Sequence, residues 1–182
     1  MSSYSAPNGL RIGHVHLHVS DLERSIAFYR DMIGFDLVVE LPDIAFMSVA
    51  GYHHHLGLNT WGTKGMNTDD VRRPGLYHFA LNFPTIEDFT AAVRHLVEAG
   101  YPISGASDHR THLAIYLADP DGNGIELAWD RDPSFWRAFM DETDPEKLRA
   151  VTRRLDVAAL LDGSAEKFHP HSNDTSANGE LK

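Results

Sequence analysis

The chain has 182 residues, 42% hydrophobic and 23% charged, with a formal charge of −10, which suits one soluble domain or two small modules sharing a core. The acidic balance argues against nucleic acid or an anionic membrane as partner, because both need clustered Lys and Arg. With no cysteine, disulfides, thiolate metal sites, iron–sulfur clusters and a cysteine nucleophile are all excluded.

Residues 1–10 read as a flexible N-terminus without the basic start or apolar run of a signal peptide, and no stretch approaches the ~20 apolar residues of a membrane span. A cytoplasmic protein is expected. In the strand that follows, Val15, Leu17 and Val19 point one way and His14, His16 and His18 the other. Ser20 or Asp21 then caps a helix over Leu22–Ile33, whose Leu22, Ile26, Tyr29 and Ile33 form one apolar face, and Gly34 stops it. Three short strands come next, at about Phe35–Leu41, Ile44–Val49 and His55–Trp61. Segment 62–75 reads as a connector.

The same order then returns. Leu76–Phe83 is a strand with Tyr77, Phe79, Leu81 and Phe83 on its apolar face and His78, Ala80 and Asn82 opposite. Pro84-Thr85 leads into a helix over Ile86–Ala99 with a stripe of Ile86, Phe89, Val93, Leu96 and Val97, stopped by Gly100. Strands at about Pro102–Ala106, Leu113–Ala118 and Gly124–Trp129 complete it, the last two joined as a hairpin by Asp119-Pro120-Asp121-Gly122-Asn123-Gly124. This is an internal repeat of about 64–68 residues, with module 1 at about 11–61 and module 2 at about 76–131. In 132–163 a helical extension is predicted, opening at Asp144-Pro145-Glu146 and carrying Leu148, Val151, Leu155 and Ala159 to a stop near Gly163. Residues 164–182, with His169 and His171, read as a disordered tail.

Histidine is the compositional anomaly: there are twelve, six of them between His14 and His55. The repeat sorts them. His14 lies five residues before Val19 and His78 five before Phe83, so the two superpose. On the last strand Ile125, Leu127 and Trp129 face the core, leaving Glu126 among the small residues Gly124 and Ala128. Strand side chains at i and i+2 stand roughly 7 Å apart, so His16 and His18 do not readily join His14 on one small ion. Two superposed imidazoles and one carboxylate, His14, His78 and Glu126, form a 2-His-1-carboxylate set with open positions, suited to Fe(II) oxygen chemistry.

Four stretches carry a resemblance: Gly13-His14-Val15-His16-Leu17-His18-Val19-Ser20-Asp21-Leu22-Glu23-Arg24-Ser25, Tyr52-His53-His54-His55-Leu56-Gly57-Leu58-Asn59, Leu76-Tyr77-His78-Phe79-Ala80-Leu81, and Asp119-Pro120-Asp121-Gly122-Asn123-Gly124-Ile125-Glu126-Leu127. Over about residues 11–131 the chain resembles the vicinal-oxygen-chelate superfamily, and within it the catechol 2,3-dioxygenase-type, or extradiol, ring-cleaving enzymes. The resemblance implies an α+β fold: two βαβββ modules forming one curved mixed sheet around a metal cavity, plus a C-terminal helix. It implies Fe(II), with Mn(II) as the alternative, a catecholic substrate, O2, and a place in aromatic catabolism. It also assigns roles: His54 matches the acid–base histidine, Tyr116 the tyrosine that hydrogen-bonds the bound catecholate, and His109 the histidine that orients a substrate oxygen, with His112 as its competitor.

Glyoxalase I fills a fourth, pseudo-symmetric position with a carboxylate. Matching Trp61 to Trp129 puts Leu58 there, and a one-residue slip puts Gly57 or Asn59 there; none is a strong ligand. Three protein ligands leave a face open to a substrate with two adjacent oxygens and to O2. Many ring-cleaving relatives carry four modules. This chain has two, so a homo-oligomer in which a partner subunit covers the substrate is expected. The alternatives are another metalloenzyme of the fold, a glyoxalase-like isomerase or a thiol transferase, and a metal-free small-molecule binder.

Overall fold

In each half of the chain the first strand pairs in parallel with the last, and the two middle strands extend the sheet from there in antiparallel fashion. The computed structural model describes residues 5–67, 75–134 and 152–163. They fall into two units: the chain up to Pro74 together with Asp119–Gly122, and Gly75–Ala118 together with the chain from Asn123 onward.

The first unit holds β1 (Val15–His18), α1 (Leu22–Phe28) running on into a π-helical turn (Tyr29–Ile33), β2 (Asp36–Leu41), β3 (Ile44–Ser48) and β4 (Leu56–Asn59). Its sheet order is β1-β4-β3-β2, and Val15 to His18 run parallel to Leu56 to Asn59. A parallel pair cannot be joined by a hairpin, so the chain between must cross over, and α1 is part of that crossover. Asp21 caps α1 by accepting the Arg24 N–H at 3.0 Å. The π-turn ends at Gly34, whose φ of 90° is the left-handed conformation a helix stop favours. Leu17 and Val19 are buried while His14, His16 and His18 are exposed, as the alternation predicts.

The loop Asp119–Gly122 is locked within the first unit. Asp121 accepts the Ser20 N–H at 2.9 Å and the Ser20 hydroxyl at 2.6 Å, and pairs with Arg24 at 2.5 Å. Asp119 accepts the Tyr29 hydroxyl at 3.0 Å and the Asp121 N–H at 2.9 Å. Both carboxylates are buried, so these bonds offset the loss of water.

The second unit repeats the plan with β5 (Phe79–Asn82), α2 (Ile86–Glu98), β6 (Gly105–Asp108), β7 (His112–Ala118) and β8 (Gly124–Asp130). The order is β5-β8-β7-β6, with β9 (Arg153–Arg154) added at the edge. Thr85 caps α2 through its hydroxyl, which accepts the Asp88 N–H at 3.1 Å, and Ile86, Phe89, Val93 and Leu96 are buried along one face. The predicted hairpin joins β7 to β8, with Ala118 opposite Gly124. The hydrogen bonds form two sheets of four and five strands rather than one continuous one.

Three details differ from expectation. Tyr77 is 87% exposed, because the ladder to β8 begins only at Phe79 opposite Ile125. Val97 is 45% exposed; adjacent to Leu96 in a 3.6-residue turn, it lies off the buried stripe. The extension is not one helix through 163. Residues 144–151 lie outside the described residues; beyond them Arg153–Arg154 pair with β6 and Leu155 is buried. Asp156, in extended backbone, then caps a short α3 (Val157–Leu161). The predicted tail, with His169 and His171, also lies outside the described residues.

Replacing Asp121 by Ala would leave the buried Ser20 N–H and hydroxyl without their acceptor. The expected loss is about 2–3 kcal/mol of folding stability, read as a lower urea midpoint at unchanged slope; a midpoint equal to that of the unsubstituted chain would contradict the lock.

Candidate metal centre

Glu126 lies on β8, only 6% exposed. A buried carboxylate needs partners, and two imidazoles lie on its oxygens. His78, one residue ahead of β5, brings Nε2 to 2.9 Å from Glu126 Oε2; His112, the first residue of β7, donates from Nε2 to Oε1 at 3.1 Å. Tyr116 faces Glu126 directly across the β7–β8 ladder, and its hydroxyl is 2.8 Å from His109 Nε2. His109 also bonds the Thr152 hydroxyl through Nδ1 at 3.0 Å and stacks on His112 with ring centroids 4.6 Å apart. Burial first, then the Glu126 charge, pushes the Tyr116 phenol up to about 12, so it stays protonated. Burial first, with the His112 charge, lowers the pKa of His109.

The β6–β7 turn that presents His109 is held by a part-buried ion pair. Arg131 reaches Asp108 at 2.7 Å and the Arg110 carbonyl at 2.8 Å, and Asp108 accepts the Arg110 N–H at 2.8 Å. These bonds hold Arg110 at a left-handed φ of 66°, which costs a non-glycine residue strain. Burial opposes the charge of Asp108, but the Arg131 and Arg110 hydrogen bonds outweigh it and keep its pKa below the ordinary value.

In the first unit the loop between β3 and β4 turns through Ala50 and Gly51, with φ of 53° and 72°, and presents Tyr52 to His55. His55 is anchored to the Ser48 hydroxyl at 2.9 Å. His54 lies with its ring 4.5 Å from that of His14 and 4.8 Å from that of Phe46. Desolvation first, then neighbouring imidazoles led by His14, lowers its pKa. His16 is committed elsewhere: its Nε2 accepts from Asn59 Nδ2 at 3.0 Å, and its ring lies over Gly57, where a Cβ would stand 2.7 Å from Nδ1.

His78, Glu126, Tyr116 and His109 are thus gathered in the second unit, and His14 and His54 adjoin in the first. The registers also decide the fourth position. His14 and His78 each lie one residue ahead of their first strand; His16 opposes Gly57 and Ala80 opposes Glu126. Gly57, not Leu58, is therefore the counterpart of Glu126, and it offers no ligand. Sequence reasoning missed His112 as the partner of Glu126, although its place on the face of Ala114 and Tyr116 was a signal, and missed Thr152 and the Arg131–Asp108 pair altogether.

Two imidazoles and a carboxylate are a fitting donor set for a divalent ion. Donor atoms sharing one ion at about 2.1 Å each stand roughly 3 Å apart, and His78 Nε2 and Glu126 Oε2 are 2.9 Å apart. Among the described residues no three His, Asp or Glu side chains form a ready ion-binding cluster; within the second unit, His78 and His112 take different oxygens of Glu126.

The repeated modules and the His/Glu face define the class. The chain belongs to the Glyoxalase/Bleomycin resistance protein/Dioxygenase superfamily, whose family model matches residues 11–127. It is 40% identical over 118 residues to a catechol-2,3-dioxygenase of Bacillus subtilis, a match covering 64% of this chain but only 40% of that protein's length. It is 30% identical over 118 residues to the metallothiol transferase FosB of Staphylococcus epidermidis, covering 64% of this chain and 79% of that protein. The fold is similar to that of a glyoxalase/dioxygenase from Nostoc punctiforme, with a TM-score of 0.57 at 23% identity over 72% of this chain and 99% of that one. Among the described residues no helix is long and apolar enough to cross a membrane.

Gly124 sets how closely β8 meets the segment carrying His78. A Cβ there would stand 2.2 Å from the Tyr77 carbonyl oxygen and 3.0 Å from His78 Cβ. Gly→Ala at an unhindered site adds about 0.4–1 kcal/mol of stability through the unfolded chain. Gly124→Ala is expected to lower stability instead, and a gain on urea unfolding would refute the close approach.

Proposed function

We propose that this chain is an Fe(II)-dependent extradiol dioxygenase that opens a catecholic ring with O2, and that His14, His78 and Glu126 hold the iron, with Mn(II) as the alternative metal. The observation that carries this reading is the Tyr116–His109 pair, 2.8 Å apart: Tyr116 lies on β7 opposite Glu126, and His109 reaches it from the β6–β7 turn. A protonated phenol and an imidazole beside a candidate carboxylate ligand suit the oxygens of a catechol, and neither thiol transfer nor isomerisation calls for them. The likeness to a catechol-2,3-dioxygenase supports the reading, as does the equivalence of His14 and His78 in the repeat.

When bound, iron supplies a meeting point for the two reactants, a template role. The protein's own groups do the rest. Tyr116 donates a hydrogen bond to a substrate oxygen, and His109, held by Thr152, orients it. His54 takes the proton of a substrate hydroxyl and returns it as the ring opens, the work of a neutral imidazole. Glu126, its charge shielded from water, raises the affinity of the site for a cation. The longer coverage of the FosB protein, 79% of its length, favours a second reading, metal-dependent thiol transfer. Anaerobic reconstitution with Fe(II), then O2 uptake on a panel of catechols alongside a thiol-conjugation assay, separates the two.

Purified protein is expected to bind about one Fe(II) or Mn(II) per chain, the count of ions one 2-His-1-carboxylate set holds. His78→Ala, Glu126→Ala and His14→Ala should each abolish binding, whereas His16→Ala should largely keep it. Metal content by elemental analysis decides the matter, and a metal-free His16→Ala beside a loaded His14→Ala would shift the ligand register by two residues.

For His54→Ala the expected outcome is retained iron and retained catechol binding, with kcat reduced about 100- to 10,000-fold. A normal kcat with only a raised KM would make His54 a wall of the pocket; loss of iron would make it a ligand.

A further inference from the structure

Glu126 has two oxygens, and only one of them faces His78. The other, Oε1, is taken by His112 Nε2 at 3.1 Å. An ionised carboxylate only accepts hydrogen bonds, so His112 must carry its proton on Nε2. On the other side of the ring the Thr111 hydroxyl lies 2.9 Å from Nδ1, which helps fix the ring plane. His112 lies well along the sheet from Glu126: it opposes Asp130, whereas Glu126 opposes Tyr116. The pair between them is Ala114 and Ala128, two methyl side chains that leave room for the imidazole and the carboxylate to lean together. The ring is stacked on that of His109, the partner of Tyr116, at 4.6 Å and 24°.

We propose that His112 is the positioning residue of Glu126: by holding Oε1 it turns Oε2 toward His78 and commits the carboxylate to a single donor oxygen. This rests on the reading of Glu126 as a metal ligand. Without the bond from His112, nothing on this side of the carboxylate sets Oε1 away from a cation, and both oxygens could be offered to it. His112 removes that freedom. It also links two parts of the site, since the ring that steadies Glu126 is the ring on which His109 rests. Partners of this kind, one bond removed from an ion, typically change metal affinity about 10- to 100-fold when lost.

The test compares two carboxamides at position 112 in the full chain. In His112→Gln the amide nitrogen falls where Nε2 was and reaches Glu126; in His112→Asn it falls where Nδ1 was and does not. Mn(II) alone is the probe, its dissociation constant read by electron paramagnetic resonance of the free ion, with apo unfolding midpoints recorded to establish that both variants fold. The expected result is about 10- to 100-fold weaker Mn(II) binding for His112→Asn, near-normal binding for His112→Gln, and none for Glu126→Ala. Normal affinity in His112→Asn while Glu126→Ala loses the ion would overturn the proposal and leave the metal reading intact. Equal loss in the Asn and Gln variants would overturn it too, since the hydrogen bond would not be what matters. Normal affinity in Glu126→Ala would remove the metal reading itself, and the role of His112 with it.

Discussion

Parallel pairing of the first and last strand is the constraint from which the rest of each module follows. It forbids a hairpin between them, so the chain must leave the first strand, cross over with a helix, build two antiparallel strands and return. It also brings the residue just ahead of the first strand beside the start of the last. In the second unit that residue is His78, and its neighbour across the pair is Gly124, with no room for a side chain. Glu126 follows two residues on, and the 2.9 Å contact with His78 is a consequence of the register.

Within that frame the histidines divide by what else they touch. His55 is tied to Ser48 and His16 to Asn59; both are absorbed by structure. His78, His109 and His112 surround the Glu126 and Tyr116 side chains, while His14 and His54 lie against one another. The most buried of the acidic groups on this face, Glu126, is the one whose oxygens are both occupied. Low solvent exposure strengthens each of those bonds and makes a missing one costly, which is why the second unit spends a short turn, an ion pair and an added strand on holding His109 and His112 in place. β9, Arg153 and Arg154, pairs antiparallel along β6 and sets Thr152 against His109, so the segment beyond the second module reaches the Tyr116–His109 pair.

The helix caps, the glycine stops, the strand alternation and the twofold repeat were legible because each rests on local chemistry. Asp21 and Thr85 cap where short polar side chains precede apolar stripes, and Gly34 and Gly100 take the positive φ that stops a helix. Tyr77 and Val97 were misplaced because apolar character alone does not say where a ladder starts or how wide a helix stripe is. The extension was misread for a similar reason: Leu155 and Ala159 have helical spacing, but pairing of Arg153 and Arg154 with β6 captured the segment first.

By itself the sequence determined the order of elements, the equivalence of His14 and His78, and the presence of one glutamate among small residues on the last strand, since all three follow from periods of two, three to four, and about 64–68 residues. Only the tertiary structure decided that Gly57 is the counterpart of Glu126, that His112 rather than His109 touches that carboxylate, and that Asp121 answers to Ser20 across 101 positions of sequence. Those are matters of register and of side-chain reach between distant segments, and a one-residue change in either is invisible to a hydrophobic pattern yet moves a functional group to another partner.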